Sequence, residues 1–107
     1  MRMLWKSTKR VINNEIIWSK NAQITFDAIV VYLENTFGNN VATKFIAKAD
    51  SSIQAIALFP NLYKAISLKQ NVRKATVSKV CSFYYEVNID TIVILYFWDN
   101  RQEPIDF

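Results

Sequence analysis

The sequence predicts an α+β domain: one N-terminal strand, an antiparallel two-helix hairpin, then a three- to four-stranded, mostly antiparallel sheet. Three observations predict it. Two successive apolar stripes recur at helical spacing between residues 20 and 58. The only glycine, Gly38, stands between them. Then Val72 to Asp99, VRKATVSKVCSFYYEVNIDTIVILYFWD, changes to the pattern of three consecutive strands. The chain has 107 residues, enough for one compact domain and too few for two. Hydrophobic residues make up 51%, which is enough to fill a core and argues against wholesale disorder.

The elements follow in order. Residues 1–10, MRMLWKSTKR, have no clean period and read as a basic extension ahead of a single domain spanning 11–107. No apolar segment follows them, so they do not read as a secretory signal. Val11 to Trp18 is the first strand candidate, strongest over Glu15–Trp18. Ser19 is a good N-cap for a helix from about Lys20 to Phe37. Its buried stripe is Ala22, Phe26, Ile29, Leu33 and Phe37, widened by Val30. Gly38 then takes the left-handed conformation that ends a helix. Asn39 or Asn40 caps a second helix, about Val41 to Leu58, with the stripe Ala42, Phe45, Ala49, Ile53 and Ile56. So short a link makes the two helices antiparallel. Pro60 stops the second helix.

Tyr63 to Leu68 reads as a short strand and Lys69–Asn71 as a turn. The first strand of the following meander carries Arg73, Lys74 and Lys79. The second is Cys81 to Val87, the turn is Asn88–Asp90, and the third is Thr91 to Trp98. That last run is apolar on both faces, so it belongs inside the sheet. Phe83, Tyr85, Val93 and Leu95 are expected to face the helices. Pro104 argues against a central strand in the tail.

The net charge of +4 is unevenly spread. Residues 64–79 hold Lys64, Lys69, Arg73, Lys74 and Lys79 and no acid, whereas residues 86–107 hold five acids and only Arg101 as a base. A local cationic field attracts a polyanion or an acidic protein segment. The bland alternative is a strand edge charged against aggregation. Tyr84, of opposite parity to Tyr85, is expected to point outward, where it could stack on a base. Arg101, beside Asp99 and Glu103, reads equally as a salt-bridged loop residue. Cys81 reads as a small buried hydrophobe; a single cysteine excludes an internal disulfide and fits a reducing, cytoplasmic setting. With no histidine and no second cysteine there is no zinc-ligand set. There is no phosphate-binding glycine loop, so no cofactor is expected. No run approaches the ~18 apolar residues of a membrane span.

The order of elements, with particular residues, resembles the RelE/ParE family of toxins from bacterial type II toxin–antitoxin systems. The residues that carry it are Ile16-Ile17-Trp18-Ser19 before Ala22, then Ile29-Val30-Val31-Tyr32-Leu33. Gly38, Ala42, Phe45, Pro60, Val72-Arg73, Tyr85 and Arg101-Gln102-Glu103-Pro104 complete it. It covers roughly Ile12 to Pro104. The resemblance implies a cytoplasmic toxin inactivated by a cognate antitoxin in a hetero-oligomer. RelE-like members are ribosome-dependent mRNA endonucleases, whereas ParE-like members poison DNA gyrase.

Cleaving RNA requires a base, an acid and cations around the phosphorane. The histidine-free nucleases of the family use Lys, Arg and Tyr. Carried over by motif, Arg73 falls at their basic strand residue and Arg101 at the arginine after their last strand. A further arginine is expected before Tyr85, where this chain has Cys81, Ser82 and Phe83. Phe107 falls near a C-terminal tyrosine and lacks its hydroxyl. The comparison leans toward a ParE-like inhibitor. If the chain is instead a nuclease, Arg73, Lys74, Lys79 and Arg101 are its catalytic candidates. Lys64, Arg73, Lys74, Lys79, Tyr84 and Arg101 are the candidates for binding antitoxin or target. A third class is an inactive module that only binds its antitoxin.

Overall fold

The computed structural model describes residues 14–67 and 70–101. In chain order they form β1 (Glu15–Trp18), α1 (Lys20–Phe37), α2 (Asn39–Leu58), β2 (Ala65–Ser67), β3 (Val72–Ser78), β4 (Cys81–Val87) and β5 (Thr91–Asp99). The strands make one sheet in the order β1-β5-β4-β3-β2. β1 pairs parallel with β5, and the other pairs are antiparallel. The expected α+β layering is present, and β5 lies inside the sheet as its two apolar faces require. Expectations about residues 1–13, Leu68, Lys69 and 102–107, including the basic extension, Pro104 and Phe107, lie outside the described residues.

The start of α1 is built onto the edge of β5. Ser19 is the N-cap: its hydroxyl accepts from the Ala22 amide at 3.0 Å and donates to the Leu95 carbonyl at 2.7 Å. Six residues later the Thr25 hydroxyl accepts the Phe97 amide at 2.8 Å. These side chains take over where the four-residue pairing of β1 ends, so the open edge of β5 is satisfied by a helix.

Gly38 differs from expectation. Its φ of 96° is positive, but its ψ of 171° is extended and not left-handed helical. It serves both helices. Its amide donates to Glu34 O at 3.0 Å, and its carbonyl accepts from Ala42 N at 3.3 Å. α2 therefore starts at Asn39, and neither Asn39 nor Asn40 is its cap. One residue reverses the chain because glycine alone occupies this backbone region cheaply.

The helix-facing core joins Phe45, Ala49, Ile53 and Ile56 of α2 to Phe83, Tyr85, Ile92, Ile94 and Phe97 of the sheet. Rings of Trp18, Phe26, Phe45, Phe83, Tyr85 and Phe97 run through it with centroids 5.1 to 5.9 Å apart. α1 packs more shallowly. Phe26, Ile29, Val30 and Leu33 are half-buried, and Phe37, expected in the buried stripe, is 56% exposed. Phe37 is the last residue of α1, and its ring meets the exposed Tyr32 ring edge-on, with centroids 6.3 Å apart.

On β5 the face also differs from expectation. Ile92, Ile94 and Phe97 are buried against the helices, not Val93 and Leu95. The register passes from Tyr85↔Ile94 to Tyr84↔Tyr96, so Leu95 is the extra residue of a β-bulge. A run apolar on both faces carries no alternation to fix its parity, and the bulge then shifts that parity midway.

Candidate functional site

Five consecutive residues of β4, Cys81 to Tyr85, are buried, and the two ends of this strand carry different surfaces. At the Cys81 end lies a cleft of about 380 Å³. α1 supplies Ala28, Ile29, Tyr32 and Leu33 to its wall. Buried Phe45 and Cys81 underlie it, and Val80, Asp99 and Arg101 complete its rim. The lining is apolar except at the rim.

There one edge of the Arg101 guanidinium grips both carboxylate oxygens of Asp99, Nε to Oδ1 at 2.9 Å and Nη2 to Oδ2 at 2.7 Å. The same guanidinium lies over the Tyr32 ring, 5.6 Å from its centroid. The hydrogen bonds from Arg101 hold the Asp99 carboxyl below the usual range. Those to Asp99 and Tyr32 push the guanidinium's pKa further up. Burial, with a smaller push from the Asp99 charge, raises the Cys81 thiol to about 12. That thiol stays protonated at neutral pH and is not a nucleophile. The reading of Cys81 as a small buried hydrophobe holds.

The other predicted site residues scatter. Arg73 is half-buried beside Tyr85, donating from Nη1 to Tyr63 O at 2.6 Å and from Nε to Asn71 Oδ1 at 3.2 Å. Lys64 is exposed just ahead of β2. Lys79 is exposed in the turn between β3 and β4, next to Val80 of the cleft rim. Lys74 lies on the sheet face away from the helices, its Nζ 5.9 Å from the centre of the Tyr84 ring. Tyr84 does project to that face, but it is only 4% exposed and packs against Tyr96 at 4.9 Å. The outward direction is as expected, but a ring this buried offers no open face for stacking on a base, and burial raises its hydroxyl pKa.

Arg73 pairs with Tyr85, whereas Asp99, two residues before Arg101, pairs with Cys81. Four residues of extended strand separate these points, roughly 13 Å at 3.3 Å per residue. The two arginines thus sit at opposite ends of β4 and the acid-free run is not one patch. Arg101 is the salt-bridged loop residue that its sequence neighbours allowed. Its contact with Tyr32 had no sequence signal, since the two are far apart along the chain. Among the described residues no cluster of His, Cys, Asp and Glu could hold a metal, and no helix is long and apolar enough to cross a membrane.

A family model described as the ParE toxin of the type II toxin–antitoxin system parDE matches residues 16–104. No curated protein matches the chain. Among solved structures the chain is similar to one of the chromosomal ParDE toxin–antitoxin system from P. aeruginosa. The two are 20% identical, with a TM-score of 0.68 over 80% of this chain and 95% of that one. It is also similar to a copper-bound mutant toxin from Helicobacter pylori, at 15% identity and a TM-score of 0.53 over 82% and 96%. A YoeB dimer from Staphylococcus aureus gives 17% identity and a TM-score of 0.53 over 80% and 95%. At such identities these likenesses speak to the fold.

Proposed function

The chain belongs to the ParE toxin family of type II toxin–antitoxin systems, and from that premise we propose that it arrests growth by inhibiting DNA gyrase and is neutralised by a cognate antitoxin. The observation that carries the choice of target is the dispersal of the cations. A phosphoryl-transfer centre needs positioned groups converging on one phosphate. Here Arg73 is engaged by Tyr63 and Asn71, and Arg101 by Asp99, at opposite ends of β4. Lys74 lies on the other face of the sheet. An arginine is in any case a poor base, because it is effectively always protonated. The described site is suited to binding and lacks an assembled acid–base pair.

For the antitoxin, the reading places an acidic, amphipathic segment in the apolar cleft, where it orders as it binds. Its apolar side chains would cover Leu33 and Phe45, and its carboxylates would meet Lys79 and compete with Asp99 for Arg101. The setting is the bacterial cytoplasm, where gyrase works.

Two assays with the purified chain separate the targets. Loss of gyrase supercoiling with intact mRNA on programmed ribosomes is the expected result. Rapid cleavage at the ribosomal A site that disappears in Arg73→Ala or Arg101→Ala would overturn the gyrase reading and restore the endonuclease one.

A further inference from the structure

At the far end of β4 from the cleft, the chain between α2 and β2 forms an apolar knuckle. Resting on the function proposed above, we infer that this knuckle, Leu58 to Leu62, is the surface that grips the toxin's protein target, seating Phe59 and Leu62 in an apolar hollow rimmed by carboxylates. It is a different surface from the cleft.

Burial gives the first argument. The last turns of α2 bury Ile53, Ile56 and Ala57 almost completely, yet Leu58, Phe59 and Leu62 are 45%, 63% and 54% exposed. Three large exposed apolar side chains within five residues are the mark of an interaction surface.

The second argument is order. An exposed apolar turn is ordinarily loose, but this one is pinned at four points. The Phe59 amide bonds to Ala55 O at 2.8 Å, and the Leu62 amide bonds to Phe59 O at 3.0 Å. The latter closes a β-turn with Pro60 at its second position, where the proline ring presets φ. From the sheet, the Tyr85 hydroxyl donates to Pro60 O at 2.9 Å and Arg73 donates to Tyr63 O at 2.6 Å. Tyr85 is fully buried, so its hydroxyl is a fixed post under the turn. A segment ordered before binding loses little entropy on docking, and a rigid aromatic anchor is a typical hot spot.

Charge selects the partner. Beneath the turn the Arg73 guanidinium is held on Tyr63 O, so the sheet side of the knuckle carries a positive charge. Lys64 stands exposed two residues beyond Leu62. An acidic rim around an apolar hollow complements this combination. A nucleic acid would use the cations and leave Phe59 and Leu62 without a partner, so the chemistry favours a protein.

The test uses the full chain with Phe59→Ser and Leu62→Ser combined, and separately Lys64→Glu. Both sets lie on exposed positions, and an unchanged thermal midpoint establishes that the fold is intact. Induced in a bacterial host, the double variant should leave about tenfold or more survivors relative to wild type, and the inhibitory concentration against purified gyrase should rise by a similar factor. Affinity for an antitoxin segment that binds the wild-type chain should stay within about threefold, since the cleft is untouched. Lys64→Glu should weaken gyrase inhibition and flatten its salt dependence. Full toxicity in both variants would overturn the inference, as would loss of antitoxin binding in the double variant. Binding of DNA alone that vanishes in the double variant would overturn the choice of a protein partner. A wild-type chain that arrests growth without touching gyrase removes only the named target, because survival still reads the knuckle. A wild-type chain that leaves growth unaffected removes the proposed function and this inference together.

Discussion

The two ends of β4 present apolar surface in opposite ways. At Cys81 the surface is concave, roofed by α1 and closed at the rim by a salt bridge between Asp99 and Arg101. At Tyr85 it is convex, a proline turn held up from beneath by a tyrosine hydroxyl and a guanidinium. Asp99 and Arg101 balance each other at the first end, whereas at the second the exposed Lys64 follows the turn and Arg73 lies beneath it. The concave end can receive a segment that folds onto it. The convex end must instead be received by a preformed hollow. The two ends of one strand thus suit different kinds of partner surface.

The largest expected effect tests whether the concave end rests on the core. Phe45 is 7% exposed and stacks on Phe26 at 5.6 Å while lining the cleft. Phe45→Ala should cost about 3–5 kcal/mol of unfolding free energy in denaturant titration. A loss below about 1 kcal/mol would place this ring outside the core and break the contrast between a rooted cleft and a propped turn.

Next comes the hinge of the helical pair that forms the cleft. Gly38→Ala meets no atom within 4 Å of the added Cβ, so its whole cost is backbone conformation. At φ 96° and ψ 171° that cost should be about 1–3 kcal/mol. Hydrogen exchange should quicken in the flanking turns of α1 and α2 while the knuckle amides keep their protection.

Tyr85→Phe addresses the convex end alone. It removes one hydroxyl and leaves Pro60 O without its donor, for a loss of about 1 kcal/mol. Exchange at the Leu62 amide should accelerate. A pH signature accompanies it. Burial raises the Tyr85 hydroxyl from 10.0 to about 12, partly offset by Arg73. A folded-state pKa above the unfolded value means stability that is complete below pH 10 and lost as pH climbs from 10 toward 12. The Cys81 thiol acts the same way from 9.0 to about 12 at the other end. Tyr85→Phe should flatten the decline above pH 10, and Cys81→Ala should flatten the part that begins near 9.

The smallest effect is at the rim of the cleft. Asp99→Asn breaks an ion pair whose side chains are 28% and 51% exposed, so stability should change by less than about 1 kcal/mol. The Asp99 carboxyl is lowered in the folded state, so what it contributes is present above its ordinary pKa and fades as pH falls below it. The readout that matters is affinity. With Asp99 neutral, Arg101 is free for an incoming carboxylate, and an acidic antitoxin segment should bind more tightly, as isothermal titration would register.

By itself the sequence determined the element order, the helical hairpin, the interior place of β5 and the burial of Phe45, Ile53, Ile56, Phe83 and Tyr85. These follow from periodicity and from punctuation by Ser19, Gly38 and Pro60, which are local signals. Only the tertiary structure decided which face of β5 meets the helices, because Thr91 to Trp98 is apolar on both sides and the bulge at Leu95 depends on its neighbours. The fate of Phe37 belongs there too, since helical spacing puts it near the stripe but does not say how far the core extends under the last turn of α1. The same holds for the cations. Lys64, Arg73, Lys74 and Lys79 are close in sequence, but pleating, turns and strand pairing send them to different faces and ends. Arg101 acquires Tyr32 only when α1 is laid over the end of β5. Charge clustering along a chain is a one-dimensional property, and a binding surface is assembled from contacts that chain distance does not encode.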